Sequence, residues 1–205
     1  MKHLSVKKIA FSLVAMVLVL GTFVACGNNE GKEQQVQLLS ENELEGVTFK
    51  RGDVFADMSV TTPDGTTYQI SELLKEKKAV VLNFWYINCG PCQMEFPYMQ
   101  EAYEKYQGDI EILALNPYDG TDETVAEFQK KYELTFPMAV CDEVWQERMG
   151  LTAFPTTVVI DRYGVVSFVH TGMITETSEF EKLFGFFTAE DYEQTVIRNI
   201  SDIEE

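Results

Sequence analysis

Two cysteines separated by a dipeptide, Cys89-Gly90-Pro91-Cys92, carry the chemistry most legible in this chain. They follow an apolar run, Ala79 to Tyr86, and open a segment with helical spacing. The reading is a strand, then a thiol pair, then a helix. Thiols at this spacing can close into a disulfide and reopen. The free backbone N–H groups at a helix N-terminus favour a thiolate on the first of them. Two competing readings are half of a zinc site and a purely structural disulfide. Zinc needs a second pair of Cys or His at ligand spacing. The other cysteines, Cys26 and Cys141, stand alone, and the histidines are His3 and His170.

The N-terminal residues have the pattern of a bacterial export signal. Lys2, Lys7 and Lys8 precede an apolar run from Ile9 to Leu20, and Gly21-Thr22-Phe23-Val24-Ala25 leads to Cys26. A small residue directly before a cysteine resembles a lipoprotein signal, with cleavage before Cys26 and lipidation of its thiol. Phe23 departs from that pattern, which usually has Leu there. An uncleaved anchor and a conventional signal that removes Cys26 are the alternatives. All three place the remaining chain outside the cytoplasm, where stable disulfides accumulate. The expected organisation is a signal at 1–25, a lipid-anchored flexible linker at 26–45, one domain at 46–187 and an acidic helix at 188–205.

The chain has 16 Lys and Arg against 33 Asp and Glu, a formal charge of −17. Removing the leader takes away three lysines and no acids, leaving 13 basic against 33 acidic residues, or −20. Such a surface repels nucleic acid and anionic lipid, so the domain is expected to stand off the membrane on its tether. A hydrophobic fraction of 45% supports a packed core.

Strand signals occur at Val47 to Phe49, Phe55 to Thr61, Thr66 to Ile70, Ala79 to Tyr86, Ile110 to Leu115, Thr156 to Ile160 and Val165 to His170. Pro63-Asp64-Gly65 turns the second into the third. Ser71 is placed to cap a short helix ending at Lys75. Phe96, Met99, Tyr103 and Tyr106 recur at helical spacing, with Pro97 expected to kink that helix. Val125, Phe128 and Tyr132 share another helix face. A short extended piece is expected at Phe136 to Val140, and helix at Val144 to Met149 and Ser178 to Phe187. Thr188, with Asp191 three residues on, reads as a weak capping box for a further helix. Cys141 reads as a buried thiol and, on a sharper reading, as a third redox cysteine.

This order and these motifs resemble the thioredoxin fold, and within it the extracytoplasmic disulfide reductases of the TlpA/ResA type, over roughly residues 46–187. Four features carry the resemblance: Phe84-Trp85 before Cys89-Gly90-Pro91-Cys92, Pro97 five residues after the second cysteine, Phe154-Pro155-Thr156 before a strand, and the turn Asp161 to Gly164. It implies an α/β fold with a mixed central sheet flanked by helices on both faces, an N-terminal β-hairpin and an extra C-terminal helix. It also implies that Cys89 is the nucleophile and Cys92 the resolving thiol, and that Pro155 is cis. Phe154, Pro155 and Trp85 would border the client, with Trp85 shielding the pair. The chain departs from thioredoxins at Asn88, where they have Trp, and at Asn83, where they have a buried Asp. Glu95, three residues after Cys92, occupies the position of a proton acceptor in the resembling reductases.

The resemblance implies disulfide-bearing client proteins and a membrane electron donor of the CcdA or DsbD type. No flavin or nicotinamide motif is present, so no cofactor or metal is expected, and the working unit is expected to be a monomer. Three alternatives compete: a peroxidase of the peroxiredoxin or glutathione-peroxidase type on the same fold, a Sco-type copper chaperone, and a thiol oxidase that differs only in potential.

Overall fold

A computed structural model describes residues 36–192. The expected signal, Cys26 and the final helix beyond residue 192 lie outside the described residues. The fold is built on a five-stranded sheet of order β5-β4-β3-β6-β7. Its strands are β3 (Ala79–Phe84), β4 (Ile110–Asn116), β5 (Met138–Val140), β6 (Thr156–Asp161) and β7 (Val166–Thr171). β3, β4 and β5 run parallel, while β6 and β7 are antiparallel to their neighbours. A separate hairpin joins β1 (Ser59–Thr61) to β2 (Thr67–Gln69). The helices are α1 (Ile70–Glu76), α2 (Gly90–Tyr106), α3 (Asp122–Lys131), α4 (Val144–Arg148) and α5 (Thr177–Thr188).

Every residue of β3, β4 and β6 is buried, as expected of strands covered on both faces. Alternate side chains feed two cores. Ala79, Val81, Ile110, Ile112 and Val159 pack with α2, α3 and α5. Val80, Leu82, Leu113, Val158 and Ile160 pack with α1, α4, β1 and the chain before it. The redox pair belongs to the first core and Cys141 to the second.

The structure corrects several local expectations. Val47 to Phe49 is not a strand: Phe49 sends its ring against Phe55 and Trp145, and its N–H donates to Arg148 O at 2.6 Å. Of Phe55 to Thr61 only Ser59–Thr61 is a strand. Ser71 is not the cap of α1. Instead Asp57 accepts from Ser71 N and Ser71 Oγ, both at 2.9 Å, placing a carboxylate at the helix N-terminus. Thr188 opens no new helix; it is the last residue of α5.

The linker expected to reach residue 45 is docked on the domain from residue 36. Leu39 exchanges hydrogen bonds with Phe55 O and Asp57 N, and Leu44 is buried. Gly164 shapes this contact. Its φ is +77°, and a Cβ there would stand 2.5 Å from Leu38 and 2.6 Å from Val36. Gly164→Ala should lower unfolding free energy by about 1–3 kcal/mol in urea, through left-handed strain and displacement of the 36–39 segment. An unchanged midpoint would show that this segment does not press on the turn.

Candidate active site

The redox turn sits where β3 ends and α2 begins. The cysteines are joined as a disulfide, with Cα atoms 5.2 Å apart. Gly90 and Pro91 form the first turn of α2; Pro is favoured there because its missing N–H would have no partner anyway. Cys89 caps the helix: its Sγ accepts from Cys92 N at 3.1 Å. The same N–H would stabilise a Cys89 thiolate once the bond opens. Cys89 is nevertheless buried in this disulfide form. Only 1% of it is accessible, and Tyr86, Ile87 and Phe154 pack on the cluster that contains it.

Ile87 is held on both sides of its peptide. Its N–H donates to Asp119 Oδ1 at 2.8 Å, and its carbonyl accepts from Gln93 Nε2 at 2.8 Å. Gln93 in turn accepts from Tyr132 Oη at 2.8 Å. Asp119 is placed by the buried Asn116, whose Oδ1 accepts from the N–H groups of Tyr118, Asp119 and Gly120. A Cβ on Gly120 would lie 2.9 Å from the Asn116 side chain, so this turn needs glycine. These holding residues were missed in the sequence. The available signal was the compact Asn-Pro-Tyr-Asp-Gly run at 116–120.

Phe154–Pro155 is a cis peptide. The Phe154 ring lies edge-on to Tyr86 at 5.5 Å, and Tyr86 lies edge-on to Tyr118 at 5.6 Å. Tyr118 is 69% exposed, so an aromatic row leads from the Pro155 turn to solvent. Trp85 does not border a client groove. It is fully buried against Phe96 and Phe128, with ring centroids 5.5 Å and 4.6 Å away. Its role here is to fill the floor beneath the pair.

Glu95 is fully buried one helical turn beyond Cys92. Its Oε1 accepts from Asn83 Nδ2 at 2.8 Å, and its Oε2 accepts from Ile174 N at 2.7 Å. β3 supplies Asn83, and the connection between β7 and α5 supplies the Ile174 amide. Burial pushes the carboxyl up to about 7, outweighing the two donors, which favour the ionised form. A carboxyl that changes charge near neutral pH beside a thiol pair can take up and return a proton. Cys141 has no such neighbours: burial, and secondarily Asp142, pushes its thiol up to about 12. It is a free cysteine in the other core, which fits the packing reading.

The Glu95 environment sets a pH dependence of stability. The folded chain keeps this proton up to about pH 7, whereas a free carboxyl loses it near 4.5. Between those values the folded state binds more protons, so stability falls as pH rises through that window. The loss totals on the order of 3 kcal/mol. In Glu95→Gln the difference in unfolding free energy between about pH 4 and about pH 8 should shrink by that amount. An identical difference in both proteins would show that Glu95 titrates as an exposed carboxyl.

Comparison with known proteins agrees with this geometry. The AhpC/TSA family profile matches residues 51–169. The thiol-disulfide oxidoreductase ResA of Oceanobacillus iheyensis is 38% identical over 145 residues, covering 67% of this chain and 73% of that protein. ResA of Halalkalibacterium halodurans is 36% identical over 124 residues, covering 58% and 69%. A solved thiol:disulfide interchange protein of the thioredoxin family from Chlorobium tepidum superposes with a TM-score of 0.57 at 24% identity, covering 69% of this chain and all of that one. That last match establishes the thioredoxin fold. With a disulfide-forming Cys89–Cys92 pair at the junction of β3 and α2, the chain belongs to the AhpC/TSA family, and within it to the ResA-like thiol-disulfide oxidoreductases.

Proposed function

We propose that this oxidoreductase works as a reductase of protein disulfides outside the cytoplasm, tethered to the membrane by lipid on Cys26. The observation that carries the reductase mechanism is the buried Glu95 carboxyl one turn beyond Cys92, held by Asn83 and Ile174. The reaction begins with the dithiol. The Cys89 thiolate attacks one sulfur of a client disulfide, forming a mixed disulfide and expelling the other client sulfur as thiolate. Cys92 then loses its proton to Glu95 and attacks Cys89 Sγ. The Cys89–Cys92 disulfide forms, and the second client sulfur leaves as thiolate. Two electrons have passed to the client. A membrane dithiol protein of the CcdA or DsbD type would return them by the reverse exchange.

Phe154 and Pro155 are the residues we assign to client contact, with Tyr86 and Tyr118 continuing the same wall. Cys89 is covered in the oxidised state, so a client or donor must part this rim to reach it. The Gly90-Pro91 dipeptide supports the reducing direction. It lacks the central His that stabilises the thiolate in the strong oxidants the fold also supports.

A peroxidase reading asks for an activating Arg near a lone cysteine. Arg148 lies in α4 with its guanidinium 5.2 Å over the Trp145 ring, and Trp145 belongs to the core on the opposite face of the sheet from Cys92. Here the cysteine is paired. The dithiol reading makes a two-part prediction. Cys89→Ser should abolish insulin reduction in a dithiothreitol-coupled turbidity assay. Cys92→Ser should accumulate mixed disulfides through Cys89, seen on non-reducing gels. Insulin turnover persisting in Cys89→Ser would overturn the assignment of the nucleophile.

A further inference from the structure

The buried amide of Asn83 is used on one side only. Its Nδ2 donates to Glu95 Oε1 at 2.8 Å and to Thr157 Oγ1 at 3.1 Å. Its Oδ1 is buried with no hydrogen-bond partner. A buried acceptor left unmade costs about 1–3 kcal/mol, so an idle carbonyl beside a buried acid calls for a reason.

Glu95 supplies one. An ionised carboxylate only accepts hydrogen bonds, and its two partners, Asn83 Nδ2 and Ile174 N–H, only donate. This arrangement is therefore built for the ionised state. A protonated carboxyl carries an O–H that needs an acceptor, and neither partner can accept as placed. Rotating the amide about its last side-chain bond exchanges its oxygen and nitrogen with almost no change of shape. Oδ1 would then accept from the Glu95 O–H and from the Thr157 hydroxyl, which can donate as well as accept. Each arrangement makes two hydrogen bonds.

We propose that Asn83 is a positioning residue whose amide turns over with the protonation of Glu95, offering Nδ2 to the carboxylate and Oδ1 to the carboxylic acid. The inference rests on reading Glu95 as the acceptor of the Cys92 proton. In that step the Cys92 S–H bond breaks and a Glu95 O–H bond forms, while the electron pair stays on sulfur for attack on Cys89. The proton later leaves with the released client thiolate. An amide at position 83 keeps Glu95 partnered in both states. An aspartate there would place a second acceptor-only charge against an ionised Glu95.

The hydrogen-bond partners of Glu95 are Asn83 from β3 and the Ile174 amide from the β7–α5 connection; Thr157 of β6 shares Asn83, and Cys92 precedes Glu95 by one helical turn. β7 adds His170, which stands opposite Thr157 in the ladder. The titration must therefore be read at Glu95 itself.

The test is NMR on the whole oxidised chain, labelled with ¹³C and ¹⁵N, from about pH 5 to about pH 9. The Glu95 carboxyl carbon and the Asn83 side-chain amide are followed together. The proposal expects both Asn83 Nδ2 protons, now donated to Glu95 and Thr157, to lose their hydrogen-bonded shifts as pH falls, with the same midpoint as Glu95. A Glu95 titration with an unmoved Asn83 amide overturns this proposal and leaves Glu95 as proton acceptor. A Glu95 carboxyl that does not titrate across the range overturns both. In a second measurement, Asn83→Leu should slow resolution of the mixed disulfide about ten-fold while leaving its formation unchanged. An equal slowing of both steps would mark Asn83 as a packing residue.

Discussion

At the centre of the candidate site lies one carboxyl group kept out of water. Glu95 lies within the core formed by α2, α5 and one face of the sheet, where an ionised group is tolerated only if donors replace its hydration. Two do: the Asn83 amide from β3 and the Ile174 N–H from the segment after β7. They balance burial closely enough to leave the group titrating near neutral pH. Much of the architecture can be read as what delivers these atoms together. β3 brings Asn83 up beneath the redox turn, β6 brings Thr157 beside it, and the register of α2 sets Glu95 one turn beyond Cys92.

The sheet separates this chemistry from the remaining core. One face holds the disulfide, Trp85 and the helices that carry the reacting groups. The other is a core in which Phe49, Phe55 and Trp145 pack together and Cys141 is a buried free thiol. The acidity of the composition contrasts with the buried carboxyl of the candidate site, whose upward shift arises from desolvation.

The redox pair, the central strands and the Phe154-Pro155 turn were legible because each depends on local pattern: a dipeptide spacing, uninterrupted apolar runs, a proline before a strand. Glu95 was legible through its position relative to Cys92, but its burial was not. Depth depends on what α5 and the 172–174 segment cover, and those residues are far away in sequence. Trp85 was read both as shielding the pair and as bordering the client; its full burial fits the first, because residue type does not tell which side of a strand end meets solvent. Asp119 and Gln93 were invisible for a related reason. Each acts by accepting from or donating to the Ile87 peptide, a role open to any polar side chain until the fold brings it within reach. Docking of residues 36–44 was also hidden, since a polar stretch with scattered leucines reads as linker until Gly164 is seen to make room for Val36 and Leu38.

The central claim is that electrons leave this dithiol for client disulfides. The most direct measurement is the midpoint potential of the Cys89–Cys92 couple in the whole chain, equilibrated in dithiothreitol buffers. The account predicts a value near or below about −250 mV, on the reducing side of the thioredoxin-fold range. A value near about −120 mV, that of a strong oxidant, would contradict the reductase assignment and reverse the direction of electron flow.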